Sequence, residues 1–332
     1  SILAQDYPGL THTVLSAGHV PTLPGDPDPN RLLSFLHAGE ALAPGALWRL
    51  VRAAQGQGTS LVYSDHDRVD DTGRHVDPWF VPDWSPDHAL AQDLVGGFYL
   101  ARDSAALREA LAELDTADPA WRYRLLLAAT RTDPGVAHVA QVTWSGPAPE
   151  PDAAALADAQ EEAVRDELAA RGVEATVRTV HDGPIGAIRH VEWPLDDPPL
   201  VSIVIPTTGR LEYVQQAMAS LERTDYPRTE VIFIDNSRGQ HPEGIEVLRS
   251  RDVTVLERDE PFNWAKLNND GAKAASGSML LFLNDDVEAL DSDWLTAMVR
   301  QASRPDVGAV GASLLYPDGS IQHAGVLLVG HG

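Results

Sequence analysis

The sequence predicts an α/β fold with a mostly parallel sheet flanked by helices, and three observations in residues 200–332 predict it. Apolar runs without polar alternation, VSIVI (201–205), EVIFID (230–235) and SMLLFL (278–283), fit strands buried on both faces. Stretches of helical periodicity separate them, so strand and helix alternate and the strands run parallel. Polar and acidic residues follow each run, as expected where a parallel sheet opens onto a ligand.

The elements follow in order. VSIVI is the first strand, closed by Pro206-Thr207-Thr208-Gly209-Arg210. A helix over 211–224 places Val214, Ala217, Met218 and Leu221 on one face. EVIFID is the second strand, ending in Asp235-Asn236, and VTVL (253–256) is the third. A helix near 263–275 stops before Gly277. SMLLFL, the fourth strand, delivers Asn284-Asp285-Asp286. Ser292 or Asp291 is expected to cap a helix that turns Leu295, Met298 and Val299 inward. VGAVGASLLY (307–316) reads as a fifth strand.

Upstream, residues 1–147 mix short apolar runs with turn signals: PTLPGDPDPN (21–30), DDTGR (70–74) and TDPG (132–135). Residues 148–199 read as a linker with a helix. The helix falls near 152–171, with Leu156, Ala159, Ala163 and Leu168 inward and Gly172 as its stop. WPLDDPP closes the linker, and Pro198-Pro199 mark a boundary because neither can donate to a strand ladder.

The 332 residues suffice for two domains. Their formal charge of −24, from 25 Lys and Arg against 49 Asp and Glu, repels nucleic-acid backbones and anionic lipid. The absence of cysteine excludes disulfides and thiolate metal sites and fits a reducing compartment. No apolar stretch reaches the ~18 residues of a membrane span, and SILAQDYPGL lacks the features of a signal peptide. The expected location is the cytoplasm, or the inner face of its membrane.

Chemistry is expected at the strand tips. No GxGxxG follows a strand and no GxxxxGK[ST] occurs, so a glycine-cradled phosphate site has no support. A nucleotide is held differently if Asp235 accepts from a base or ribose and Asp286 carries a cation that neutralises a diphosphate. Two adjacent carboxylates ending an apolar strand are costly unless a cation or donors satisfy them. Taken alone, they serve equally well as caps of the next turn.

At this point the residues carry a resemblance. VSIVIPTTGR (201–210), EVIFIDN (230–236), PFNWAKLNNDGAKAASG (261–277), LFLNDDVEAL (281–290), DWL (293–295) and VGAVGASLLYPDGSIQHAGVLL (307–328) resemble family 2 glycosyltransferases, in order and spacing. They look most like the bacterial tandem-domain type that builds surface polysaccharide. The resemblance implies a GT-A fold and tandem related domains, both incomplete. It also implies a nucleotide-diphosphate sugar donor, a glycan or lipid-linked glycan acceptor, Mg²⁺ or Mn²⁺, and inversion by direct displacement. It puts Pro206, Thr207 and Thr208 under the nucleoside, with Arg210 beside them, and Asp235 against the base. Asn284-Asp285-Asp286 occupies the metal motif, with Asn in its first position. The load therefore falls on Asp286, with Asp285 toward ribose or metal and Asn284 a weak ligand. Lys266 and Asn269 match positions that reach the donor, with packing or capping as the alternative. Gln322-His323 matches a segment of unassigned role. The family's general base lies downstream of that segment, so it is expected beyond Gly332, and the chain as given is expected to be an inactive fragment of an active parent.

Residues 1–147 resemble the same family more weakly, through SILAQDYP (1–8) and LVYSDHDRVDDTGRHVDPWFVPDWSPD (61–87). In FLHAGEALAPGAL (35–47), His37 and Gly39 stand where the family has metal-binding acids, leaving Glu40. In WRYRLLL (121–127), Arg122 and Arg124 replace acids that include the usual base. Arginine neither ligates a cation nor accepts a proton at neutral pH, so this domain is expected to be inactive. Its arginines are either salt-bridged or bind an acidic ligand. Asp65, His66 and Asp67 could form a metal cluster, although their segment favours a loop or substrate-side role. His12 and His19 have no partners at ligand spacing. The alternative to an enzyme is a glycan-binding or scaffold module without turnover. A nucleotidyltransferase is a third reading, weakened because Thr207-Thr208-Gly209-Arg210 makes a poor phosphate loop.

Overall fold

The computed structural model describes residues 5–15, 20–56, 58–70, 72–131, 135–146, 153–181 and 186–326. The chain divides into two units, Ser1–Trp193 and Pro194–Gly332.

In the first unit the elements are β1 (Leu32–Leu33), β2 (Ala41–Leu42), α1 (Ala46–Ala54), β3 (Leu61–Val69), β4 (His75–Trp79) and α2 (Pro86–Ala91). They continue with β5 (Tyr99–Arg102), α3 (Ala105–Ala112), α4 (Trp121–Ala129), β6 (Val136–Gly146), α5 (Ala153–Ala170), β7 (Thr176–His181) and β8 (Ile188–Glu192). The main sheet has the order β1-β5-β3-β6-β2, with β4 also on β3. Only β3 and β6 run parallel in it; the other pairs are antiparallel. The parallel sheet foreseen for the fold class is thus a property of the second unit. Alternation along β3 fills two cores: Leu61 and Tyr63 pack with Leu107, Leu125 and Leu126, while Val62 packs with Leu50 and Trp144.

Residues 148–199, foreseen as a linker, divide differently. α5 forms and buries Val164 and Leu168 in the first unit's core, and Val177 of β7 joins them. Of the foreseen inward line, Ala163 and Leu168 are buried, while Leu156 and Ala159 are half-buried and Ala157 and Gln160 beside them are buried instead. The unit boundary lies at Trp193–Pro194, just before the proline pair. PAPEPD, SILA at the N-terminus, most of TDPG and His19 lie outside the described residues.

The second unit holds β9 (Val201–Thr207), α6 (Leu211–Glu222), β10 (Thr229–Asp235), α7 (Pro242–Arg249), β11 (Thr254–Glu257), α8 (Trp264–Ala274), β12 (Met279–Phe282), α9 (Trp294–Ala302), β13 (Leu314–Leu315) and β14 (Ile321–His323). β11-β10-β9-β12 form an all-parallel sheet. One face packs Ile203, Ile205 and Phe233 with Val214, Ala217, Leu248, Leu295 and Val299 of α6, α7 and α9. The other packs Val204, Ile232 and Ile234 with Leu267 of α8. Gly271 permits that second contact, because a Cβ there would come within 2.3 Å of Val204 Cγ1.

Two expectations are corrected here. The fifth strand over 307–316 shrinks to Leu314–Leu315, paired only with β14. Gly308 and Gly311 weaken an extended run, and 307–313 lie largely exposed with no ladder to join. α9 begins after Asp293 rather than Ser292, without a side-chain cap bond.

Candidate functional site

Parallel strands end together, so their tips form one edge. Asp235 of β10 is the register partner of Thr207 of β9 and of Glu257 of β11. β12 lies on the other side of β9, and Leu283 N–H donates to the Val204 carbonyl at 3.0 Å. The next residues, Asn284-Asp285-Asp286, therefore emerge beside Thr207. The structure gathers Asp235, Thr207 and Asn284-Asp285-Asp286 along three neighbouring strands.

Hydrogen bonds fix the middle of this edge. Thr207 Oγ1 donates to Asp285 Oδ2 at 2.6 Å and accepts from Gly209 N–H at 3.0 Å. Gly209 has φ 77°, a turn conformation that glycine adopts without strain, and an added Cβ would meet the His241 carbonyl at 3.0 Å. The turn thus points Thr207 at Asp285. Burial pushes the Asp285 carboxyl above its ordinary pKa; the Thr207 bond opposes that and the neighbouring Asp286 charge adds to it. Asp286 itself is exposed. Asp235 is buried, and its Oδ1 accepts from Ser237 N–H at 2.8 Å.

The N-terminus of α8 completes the edge. Asn263 caps it, its side-chain oxygen accepting from Lys266 N–H at 3.0 Å. Lys266 pairs with Glu260, and its Nζ is thereby held beside the loop leaving β11. That loop is tied to β10 by Asn236, whose amide donates to the carbonyls of Arg258 (2.6 Å) and Glu260 (2.9 Å). Arg258 in turn pairs with Asp270 of α8 at 2.9 Å.

The foreseen residues thus separate into those gathered and those not. Pro206, Thr207, Asp235, Asp285 and Asp286 share the edge with Lys266. Thr208 and Arg210 are exposed in the turn after β9, and the Arg210 guanidinium lies 5.7 Å from the centre of the Tyr213 ring. Asn269 is exposed one turn deeper along α8, while its neighbour Asn268 is buried and donates to the Trp264 carbonyl. Asn284, foreseen as a weak ligand, has its side-chain oxygen engaged by the indole N–H of Trp264 at 3.1 Å. Indole N–H only donates, so the oxygen faces it. His323 lies on β14, in register with Leu314. The sequence reading placed Asn236 at the strand end without giving it a role and singled out neither Glu260 nor Trp264.

Among the described residues no group of three or more His, Asp or Glu could by itself hold a metal. The oxygen donors of Asp285 and Asp286 nevertheless suit a hard cation, which needs only one or two carboxylates when phosphate oxygens and water complete its shell.

The first unit arranges its corresponding groups otherwise. Glu40 is buried, accepts from His37 N–H at 2.8 Å and pairs with Arg122 at 2.7 Å. Arg122 also donates to the Gly97 carbonyl at 2.9 Å. Arg124 pairs with Asp118 at 2.5 Å and with Asp166. Both arginines are therefore internally salt-bridged. Asp65 accepts from Val81 N–H and bonds His138; Asp67 accepts from Ser145 and bonds His75. His66 stacks between Trp79 and Trp144, where burial pushes its pKa down to about 4. Asp65, His66 and Asp67 thus lie in strand β3, neither as a metal cluster nor in a loop. His12 is exposed.

The chain was also compared with known proteins. Residues 202–325 match the family described as Glycosyl transferase family 2. The chain is similar to the O-antigen biosynthesis protein RfbC of Myxococcus xanthus, 35% identical over 312 residues, which cover 89% of this chain and 24% of that protein. It is also similar to the uncharacterized protein y4gI of Sinorhizobium fredii, 34% identical over 90% of this chain and 35% of the other. The chain thus spans about a third or less of these relatives. Among solved structures it is similar to the mannosyltransferase PcManGT from Pyrobaculum calidifontis in complex with GDP-Man and Mn²⁺, with 23% identity, 37% of each chain covered and a TM-score of 0.33. The match to glycosyl transferase family 2 thus falls within the second unit, from β9 to just past β14.

Proposed function

We propose that the second unit is the donor-binding half of a GT-A glycosyltransferase. The parent protein transfers a sugar from a nucleotide-diphosphate sugar to a glycan or lipid-linked glycan, with inversion. The observation that carries this reading is the Thr207–Asp285 hydrogen bond beside Asp235, its register partner across one strand spacing. It supports a single ligand bridging the nucleoside end and the diphosphate end of the edge.

In this reading Asp235 accepts from the base, and Pro206 to Thr208 form the floor beneath the nucleoside, with Arg210 at its margin. Asp286, with Asp285, holds Mg²⁺ or Mn²⁺. Such a cation, when bound, stabilises the negative charge that builds on the departing diphosphate. Lys266 lies at the N-terminal end of α8, whose amide dipoles also favour anionic phosphate, and Asn269 stands behind it. The acceptor hydroxyl must lose a proton to a base; the described residues of this edge supply no basic group aimed at such a hydroxyl beyond the carboxylates already placed.

The first unit is better read as a non-catalytic, glycosyltransferase-derived module, because Arg122 and Arg124 are neutralised internally. A nucleotide-diphosphate thermal-shift screen of the chain with and without Mn²⁺ tests the main reading. The expected result is a metal-dependent rise in Tm with one nucleotide, abolished by Asp286→Ala. A rise that survives this substitution removes the metal from Asp286.

A further inference from the structure

We propose that Trp264 is the wall on which a pyranose ring stacks at this site, and that Asn284 sets the orientation of that wall. This rests on the donor-site reading above and goes beyond it to the sugar.

Trp264 is the first residue of α8, at the open edge of the sheet, and stays 47% exposed although it sits beside a folded core. Its ring thus presents a large apolar surface to solvent beside the carboxylates of the site. Its position is nonetheless fixed. The indole N–H is anchored on Asn284 Oδ1 at 3.1 Å, and Phe282 packs edge-on at 6.4 Å between centroids. Phe282 is 43% exposed and in register with Val204, which puts it on the face of the sheet that α8 packs against. The two rings form a short aromatic shelf bounded by Asn284 on one side and open on the other.

The chemistry of its surroundings selects the occupant. Asn284 lies one residue from Asp285 and two from Asp286, so the shelf adjoins the carboxylates assigned to the diphosphate. A ligand there must present an apolar face to the indole and hydroxyls to the acids. A pyranose does so, with C–H groups across one face and hydroxyls around its rim. The anchoring bond uses the indole N–H in the ring plane and leaves the π-face free. The Asn284 oxygen is thereby engaged by the aromatic wall. Either the donor's sugar or a sugar of the acceptor could supply the ring.

Isothermal titration in Mn²⁺ separates these cases. UDP is compared with UDP-glucose and UDP-GlcNAc, and GDP with GDP-mannose, on wild type, Trp264→Ala and Trp264→Phe; maltotetraose with bare nucleotide present probes the acceptor side. The expected result is that wild type binds one nucleotide sugar more tightly than its bare nucleotide. Trp264→Ala should lose about fivefold of that advantage while bare-nucleotide affinity changes less than about twofold, and Trp264→Phe should keep most of it. Loss confined to the oligosaccharide arm supports the shelf and assigns it to the acceptor. An advantage unchanged in Trp264→Ala, or no sugar-dependent affinity in either arm of wild type, overturns the shelf while leaving the nucleotide site standing. Failure of every bare nucleotide to bind overturns the donor-site reading itself, and the shelf with it.

Discussion

Thr207 donates its hydroxyl to Asp285 at 2.6 Å, while its backbone lies in register with Asp235. One residue thus stands between the two acids, which lie on opposite sides of β9. Thr207→Val keeps the shape and removes the bond, leaving Gly209 N–H and the half-buried Asp285 without that partner. The expected cost is about 1–3 kcal/mol of stability and about tenfold weaker metal-dependent nucleotide binding, read by denaturant titration and calorimetry. Wild-type affinity in this variant would remove Thr207 from the site.

Glu230 gives a pH-dependent test at the opposite end of the strands. Its carboxylate accepts from Ser202, from Ser276 N–H (2.6 Å) and Oγ (2.8 Å), and from Gly277 N–H (3.0 Å). Chiefly through the Ser202 bond, these hold its pKa down at about 2, against an ordinary 4.5. A depressed folded-state pKa means that the stabilisation is complete above about pH 4.5 and is lost as pH falls toward 2. Glu230→Gln should therefore lower Tm at pH 7, with the gap to wild type narrowing through that window. A gap independent of pH would assign the effect to packing.

Glu40 and Arg122 test the first unit. Glu40→Gln leaves the Arg122 guanidinium only partly compensated in a largely buried place. Because Arg122 retains some solvent contact, the expected loss is about 2–3 kcal/mol, below that of a fully buried pair. Urea unfolding followed by far-ultraviolet circular dichroism reads it. An unchanged midpoint would mean that water already satisfies Arg122.

Gly271→Ala tests how closely α8 lies on the sheet. Its new Cβ would sit 2.3 Å from Val204 Cγ1 and 3.1 Å from Ile234 Cδ1. Overpacking of this kind costs about 1–3 kcal/mol, and displacement of α8 should also weaken nucleotide binding through Lys266. A variant as stable as wild type, with unchanged affinity, would show that the helix has room to retreat.

The second unit was largely legible from the sequence because a parallel sheet buried on both faces leaves unbroken apolar runs such as VSIVI and EVIFID. The acids after those runs reach one edge by topology alone, so Asp235 and Asp286 needed no tertiary detail. What escaped depended on side-chain partners far apart in sequence: Asn236 tied to Arg258 and Glu260, and Asn284 bound to Trp264 rather than left for a cation. The linker misled because an amphipathic helix reveals that it has an apolar face but not which core receives it. VGAVGASLLY misled because apolar content alone does not supply a neighbouring strand. In the first unit, the mixed sheet arises from pairings such as β3 with β5 that local patterning does not encode.

The Glu40–Arg122 bridge has a consequence for stoichiometry. A divalent ion would have to compete with the guanidinium for Glu40, so only one half of the chain should saturate. Titration with Mn²⁺ and nucleotide should then follow a single hyperbola with one equivalent per polypeptide, free of cooperativity, despite the repeated ancestry that the sequence suggests.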